Sequence, residues 1–263
     1  MELLDCEKSI IKTYKKDIWC KFVKAINLYN LVQENDKIAV CISGGKDSFI
    51  LAKCFQELKK HNKFNFELEF IVMNPGFTDE YLNTIKNNSE KLNVPIKIFA
   101  TDIFDVVNKL NHKSNCFICA KMRRGYLYDI AKKLGCNKIA LGHHIDDVLE
   151  TIFLNMFYNG KFETMLPKIK SKNFEDMELI RPLYLVNEKD IIRWQNYNKL
   201  VFKECSCGFK KEVSKRIEMK KLVESLRKSN KFFDANVLKS TENVNLNNLL
   251  GYIKDGEKHN YLD

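Results

Sequence analysis

From residue 37 onward, short apolar runs alternate with longer segments of helical periodicity. Lys37–Cys41, Phe66–Met73, Ile96–Ala100 and Lys138–Leu141 are rich in Ile, Val and Phe, and each is short enough to be a buried strand. Ser48–Leu58, Asp79–Leu92, Ile103–Leu110, Cys119–Leu134 and Ile145–Tyr158 carry apolar residues spread at helical spacing. Gly135 and Asn159-Gly160 supply stop signals, and Asn74-Pro75-Gly76 marks a turn after the second strand. Ahead of them, residues 7–33 read as helix, with Ile10, Ile11, Tyr14, Phe22, Val23, Ile26 and Leu31 apolar. Strands and helices alternating at these lengths predict an α/β fold with a doubly wound parallel sheet. After Gly160 the pattern weakens. Glu188–Tyr197 and Glu212–Lys228 read as helices, and the asparagine-rich stretch 240–263 takes no assignment. The expected organisation is an N-terminal helical segment (1–36), a nucleotide-binding catalytic domain (37–208) and a basic C-terminal helix with a polar tail (209–263).

Composition narrows the class. The chain has 263 residues, enough for a self-supporting core, and 45% of them are hydrophobic. No apolar run approaches the roughly 18 residues that a membrane helix needs. The start, Met-Glu-Leu-Leu-Asp-Cys, is charged and does not read as a signal peptide, so a cytoplasmic protein without membrane contact is expected. Nine cysteines, an odd count at uneven spacing, argue against a disulfide framework. The net charge of +10 points to a polyanionic partner, nucleic acid first, with a merely soluble lysine-rich surface as the bland alternative.

The sharpest local signal is Ser43-Gly44-Gly45-Lys46-Asp47-Ser48, set between a strand and a helix. Glycines let backbone approach a phosphate, and the helix N-terminus presents free N–H groups to it. Lys46 adds a point charge, and both serine hydroxyls donate. The loop is not a Walker A motif, which would need glycine at Val40 and Ser or Thr at Asp47. Asp47 is unfavourable beside bare phosphate, so Mg2+ between them is expected. A second cluster, Gly142-His143-His144-Ile145-Asp146-Asp147, follows the fourth strand. There an aspartate can share the Mg2+ of Asp47, and His143 can meet a nucleotide phosphate. Carboxylates in the first turn of a helix are also favoured by its dipole alone.

Cys116-Phe-Ile-Cys119 and Cys205-Ser-Cys207 pair thiols at metal-ligand spacing. Four thiols would close a zinc site, and three would hold a [4Fe-4S] cluster with one iron open. Cys6, Cys20, Cys41, Cys54 and Cys136 read as packing residues. Lys121-Met-Arg123-Arg124-Gly125 follows the first pair and suits phosphate or RNA, or else forms a solvated helix face. Residues 210–228 hold eight basic and three acidic side chains, a net +5 (8 − 3) expected to meet RNA phosphates.

The loop resembles the PP-loop ATP pyrophosphatase superfamily, whose fold is adenine nucleotide alpha hydrolase-like. Further motifs occur in order: C-x-x-C-x-x-x-R-R-G from Cys116, G-H-H-x-D-D-x-x-x-T-x-F-L-N-M-F-Y-x-G from Gly142, then M-x-P-K, I-R-P-L and E-K-D-I. Over roughly residues 7–208 they look like the tRNA 2-thiocytidine synthetase (TtcA-type) family. The resemblance implies that ATP lies on Ser43, Gly44, Gly45, Lys46, Asp47 and Ser48, with Val72 and Met73 beside the adenine. It also implies nucleotide contacts from Gly142, His143 and Asp147, with Mg2+ on Asp47. Cys116, Cys119 and Cys205 (or Cys207) would hold a [4Fe-4S] cluster. The implied catalytic set is Asp47, Asp146, Arg123, Cys116 and Cys119. The implied partners are tRNA, a sulfur donor (sulfide or a cysteine desulfurase persulfide) and a second copy in a homodimer. The implied reaction adenylates the 2-oxygen of cytidine 32 and replaces it with sulfur. Two departures stand out. The family pattern P-C-x-x-C-G appears here as Glu204-Cys205-Ser206-Cys207-Gly208, and the chain after Gly208 is unlike the best-known members. A 2-thiouridine synthetase, a lysidine synthetase and a zinc-stapled tRNA-binding module remain as rival readings.

Overall fold

A computed structural model describes residues 3–61, 63–110, 115–203 and 213–262. Its centre is a six-stranded sheet in the order β3-β2-β1-β4-β6-β5. The strands are β1 (Lys37–Cys41), β2 (Glu67–Asn74), β3 (Ile96–Ala100), β4 (Lys138–Ala140), β5 (Lys168–Lys170) and β6 (Glu178–Ile180). Every neighbouring pair is parallel except β5, which runs antiparallel to β6 at one edge. The doubly wound parallel sheet expected from the alternation is therefore present, with one reversed edge strand. β5 and β6 lie in the region where periodicity weakens. Each is three residues long, too short to show a period.

Successive side chains of β1 serve different cores. Ile38 and Val40 join α3 (Lys46–Lys60), α4 (Asp79–Lys91) and α8 (Glu188–Tyr197) on one face. Ala39 and Cys41 meet Tyr128, Ile130 and Ala131 of α6 (Asn115–Lys133) on the other. Burial on both faces explains why the strand reads as an unbroken apolar run.

The helix expected over 7–33 is three pieces: α1 (Leu3–Ile11), a π-helical turn (Lys15–Trp19) and α2 (Cys20–Leu28). The buried residues Ile10, Tyr14, Ile18, Phe22 and Ile26 are spaced by four. On a 3.6-residue turn that spacing drifts by about 40° per step. A wider π turn brings the stripe back onto the core.

Beyond β6, α9 (Val213–Ser229) packs on α7 (Ile145–Tyr158), and Met219 and Val223 are buried there. α10 (Phe233–Glu242), which no sequence signal marked, runs into the unassigned stretch 240–263, and that stretch holds a hairpin of β7 (Gly251–Lys254) and β8 (Glu257–Asn260). Asp255 and Gly256, both at positive φ, make the hairpin turn. Asp-Gly is the turn signal that marks it in the sequence. A last short helix, α5 (Ile103–Leu110), lies ahead of α6. Among the described residues no helix is long and apolar enough to cross a membrane.

Candidate active site

Three helix N-termini converge at the carboxyl ends of β1, β4 and β6, namely those of α3, α7 and α8. Each leaves N–H groups and a positive dipole end facing the same space. The loop Ser43–Ser48 enters α3 there. Gly44 sits at φ +91°, and a Cβ on it would lie 2.8 Å from Ile85 Cγ1 and 2.9 Å from Tyr81 Oη. Both handedness and space therefore require glycine. Tyr81 Oη donates to the Ser43 carbonyl at 3.0 Å, and Ser48 Oγ to the Gly45 carbonyl at 2.8 Å. These bonds hold the loop open without filling it. Gly142 crosses its other side. A Cβ there would lie 2.9 Å from the Asp47 carbonyl carbon and oxygen and 3.2 Å from the Ser48 nitrogen.

Asp47 has one carboxylate oxygen, Oδ2, 3.2 Å from Lys46 Nζ. The other, Oδ1, is buried and without a hydrogen-bond partner. Burial pushes the Asp47 pKa up, against the pull of His144 and Lys46. His144 Nε2 lies 3.8 Å from Asp47 Oδ1, and its Nδ1 lies 3.6 Å from Asp146 Oδ2 and 3.4 Å from Asp147 Oδ2. The ring is thus ringed by carboxylates. His143 is different: burial brings its pKa down to about 4, so it is neutral at pH 7.

The paired aspartates are already engaged. Asp146 Oδ2 accepts the Glu188 N–H at 2.7 Å, capping α8, and Oδ1 accepts from Arg227. Asp147 Oδ2 accepts the His144 N–H at 3.0 Å, and Oδ1 accepts Arg216 Nη2 at 2.5 Å. Arg216 Nε also donates to Glu150 at 2.8 Å. Burial opposes ionisation of Asp147, but His144 and Arg216 outweigh it and its pKa falls. Glu188 joins the two sides of the site: it accepts from Lys46 at 3.0 Å and from Lys220 at 2.6 Å. Burial pushes its pKa up, and the two lysines pull it down to about 2.

Several residues here were not singled out as site residues by sequence reasoning: His144, Glu188, Arg216, Lys220 and Arg227. The three basic ones were expected to face RNA; the structure ties each of them to a carboxylate of this cluster. They are tied to carboxylates because they share a stripe with Val223, at i, i+4, i+7 and i+11 from Arg216, that α9 turns toward α7. That spacing was the available signal. Lys215, Lys221 and Lys228 remain exposed.

The other expected residues fall around the same end of the sheet. Met73, at the end of β2, packs with Ile103, Val107 and Cys119, which places a buried thiol beside that strand end. Val72 is fully buried in the main core, so only its backbone can meet a ligand. Arg123 is half-buried and Arg124 exposed on α6. The Cys116 side chain, Cys205 and Cys207 lie outside the described residues. Among the described residues no three His, Cys, Asp or Glu side chains form a ready metal site.

The PP-loop domain matches residues 15–217. The chain belongs to the PP-loop family. Within that family its TtcA-type resemblance is borne out. It is 42% identical over 199 residues to the tRNA-cytidine(32) 2-sulfurtransferase of Neisseria meningitidis serogroup C / serotype 2a, covering 73% of this chain. The match spans 61% of the length of that relative. It is 33% identical over 250 residues to tRNA-cytidine(32) 2-sulfurtransferase 1 of Francisella tularensis subsp. novicida, covering 93% of this chain and 92% of the relative. In fold it is similar to the U34-tRNA thiolase NcsA of Methanococcus maripaludis, solved with its [4Fe-4S] cluster. The TM-score is 0.69 at 21% identity, over 84% of this chain and 76% of that one. In this PP-loop protein the loop, Gly142 and the histidine–aspartate cluster form one continuous site.

Proposed function

We propose that this chain is an ATP-dependent tRNA sulfurtransferase that converts cytidine 32 of the anticodon loop to 2-thiocytidine. The observation that carries the reading is the open phosphate loop with a buried Asp47 Oδ1 at its mouth that accepts no hydrogen bond. It is supported by likeness to the Francisella sulfurtransferase along almost the whole chain. Mg2+ fits Asp47, since a buried carboxylate oxygen without a donor suits a cation, and Mg2+ ordinarily takes one or two carboxylates plus substrate phosphates. Cys116, Cys119 and Cys205 or Cys207 would hold a [4Fe-4S] cluster, and the three-thiol donor set fits one. Such a cluster, when bound, supplies an iron coordination position for a sulfur ligand.

The residues of this chain act on ATP and the base. The loop N–H groups and Lys46 take up charge on the leaving pyrophosphate. The cytosine O2 forms a bond to the α-phosphorus as the bond to pyrophosphate breaks. A sulfur nucleophile then bonds to C2, the C2–O bond breaks with its electron pair, and AMP departs. Sulfide gives the thiocarbonyl directly; a desulfurase persulfide gives a mixed disulfide at C2, whose S–S bond a second thiol must then break, with the two thiols leaving as a disulfide. Arg123 is assigned to the activated oxygen. Asp146 holds α8 against the loop, and so holds Glu188 and Lys46 in place. The domain division at 36 and 208, a homodimer and a cytoplasmic location belong to the same proposal.

Nucleoside mass spectrometry of tRNA, after anaerobic reaction with ATP, Mg2+ and sulfide, tests the reading. It should show 2-thiocytidine, with AMP and pyrophosphate released. A colourless protein with stoichiometric zinc and no AMP release would refute it, and 2-thiouridine or lysidine would redirect it.

A further inference from the structure

Arg181 follows β6 directly, beside the β4 exit that carries Gly142 and His143. It is 4% exposed. Its Nη1 donates to the Leu166 carbonyl, but Nε is buried with no partner. Among the described residues it forms no ion pair, and neither does Arg124. His143 Nδ1 is also buried and unpartnered. Burial, and next the Arg124 guanidinium, bring the Arg181 pKa down to about 10. Two like charges are thus held near each other, one of them buried, with no carboxylate bound to either.

Elsewhere in this protein buried cations are paired. Lys138 meets Asp36 at 2.7 Å, and Lys53 meets Glu7 at 2.8 Å. A buried charge is ordinarily compensated by a counter-charge, and an orphaned buried donor requires a reason. At Arg181 no carboxylate among the described residues is in bonding reach: Asp147 attracts it only from a distance and is itself bound to Arg216, and Nε is left without a partner. We infer that Arg181, Arg124 and the neutral His143 form a phosphate-binding subsite between the phosphate loop and the cysteine-bearing helix α6. The guanidinium fork suits phosphate oxygens in both charge and shape. His143 adds a hydrogen bond without a charge.

The inference rests on the proposed function only for the source of the phosphate. The subsite lies between the ATP loop and Cys119, where the target nucleotide must sit. The group is therefore the α-phosphate of ATP or a phosphodiester of the tRNA strand.

The test compares wild type with Arg124→Ala, Arg181→Lys and Arg181→Met in two equilibrium titrations. One uses adenosine 5′-(α,β-methylene)triphosphate without RNA. The other uses tRNA without nucleotide across a series of salt concentrations. Arg181→Met should weaken one ligand by about tenfold, the scale of a charge-assisted hydrogen bond. Arg124→Ala and Arg181→Lys should shift the same ligand by less. Loss confined to the nucleotide identifies the α-phosphate. Loss confined to tRNA, with the log-log salt slope reduced by about 0.7, identifies a phosphodiester. If Arg181→Met does not fold, the other two variants carry the comparison. Folded variants that bind both ligands as wild type does would overturn the subsite alone. Wild-type protein that binds neither ligand would overturn the proposed function and the subsite with it.

Discussion

Replacing Gly142 with alanine tests whether the fourth strand's exit and the phosphate loop are built as one unit. The new methyl would stand 2.9 Å from the carbonyl carbon and oxygen of Asp47 and 3.2 Å from the nitrogen of Ser48. Ordinary carbon contacts need about 3.5–4.0 Å. The obstacles are backbone atoms, which cannot rotate aside, so the Asp47–Ser48 peptide must move by about 0.5 Å. Overpacking of this kind costs about 1–3 kcal/mol. In a protein of this size each kcal/mol lowers Tm by about 2–4 °C. A 1 Å misplacement at a reacting centre costs on the order of a hundredfold, so half of that predicts about tenfold in kcat/KM for AMP release. Thermal unfolding and AMP release from ATP with tRNA measure the two effects. Gly125→Ala is the control: nothing lies within 4 Å of its added Cβ. In mid-helix it should raise stability by about 0.5–1 kcal/mol. If Gly142→Ala matches wild type in both Tm and AMP release, the close packing of the two loops is not what positions Asp47.

Glu188→Gln should destabilise the protein at pH 7. The fall of its pKa from 4.5 to about 2 corresponds to about 3 kcal/mol at full strength. Screening at the half-exposed Lys220 leaves about 1–2 kcal/mol. Because folding lowers this pKa, the contribution is complete above pH 4.5 and fades as pH falls toward 2, with more than half gone by about pH 3. Urea unfolding of both proteins at stepped pH should show the curves converging in acid, and a constant gap would refute the assignment. Arg216→Ala leaves Asp147 and the buried Glu150 without their shared donor, for a loss of about 1–3 kcal/mol. Combining it with Glu150→Gln should recover part of that loss, and a double-mutant cycle with zero coupling would count against the pair. Lys221→Ala or Lys228→Ala, on the outward side of α9, should weaken tRNA binding and lower its salt slope by about 0.7–0.9 per lost phosphate. Unchanged binding would remove α9 from the RNA surface.

Most of the α/β plan was legible because it is written in local order. The strand–glycine loop–helix of residues 37–60 needs only neighbours in sequence, and the double-sided burial of β1 makes it an apolar run. Gly44 was legible for the same reason, since its positive φ belongs to the turn itself. β5 and β6 were not: β4, equally short, stands between two helices of clear period, whereas β5 and β6 follow Gly160, where that alternation stops, and gain their identity from the partners beside them.

The site divides along the same line. Residue types and spacing alone marked the phosphate loop, Asp47, the histidine–aspartate cluster and the cysteine pair as chemical. Only the tertiary structure decided which of two adjacent histidines meets the carboxylates. His144 is buried, has an extended backbone as the cap of α7 and turns toward Asp47, while His143 is half-buried, with Nδ1 shielded and the ring neutral. The structure also decided that basic residues on α9 belong to the site. Charge along a helix does not reveal its outward face. The burial of Met219 and Val223 against α7 does, and it turns Arg216, Lys220 and Arg227 onto carboxylates far away in sequence.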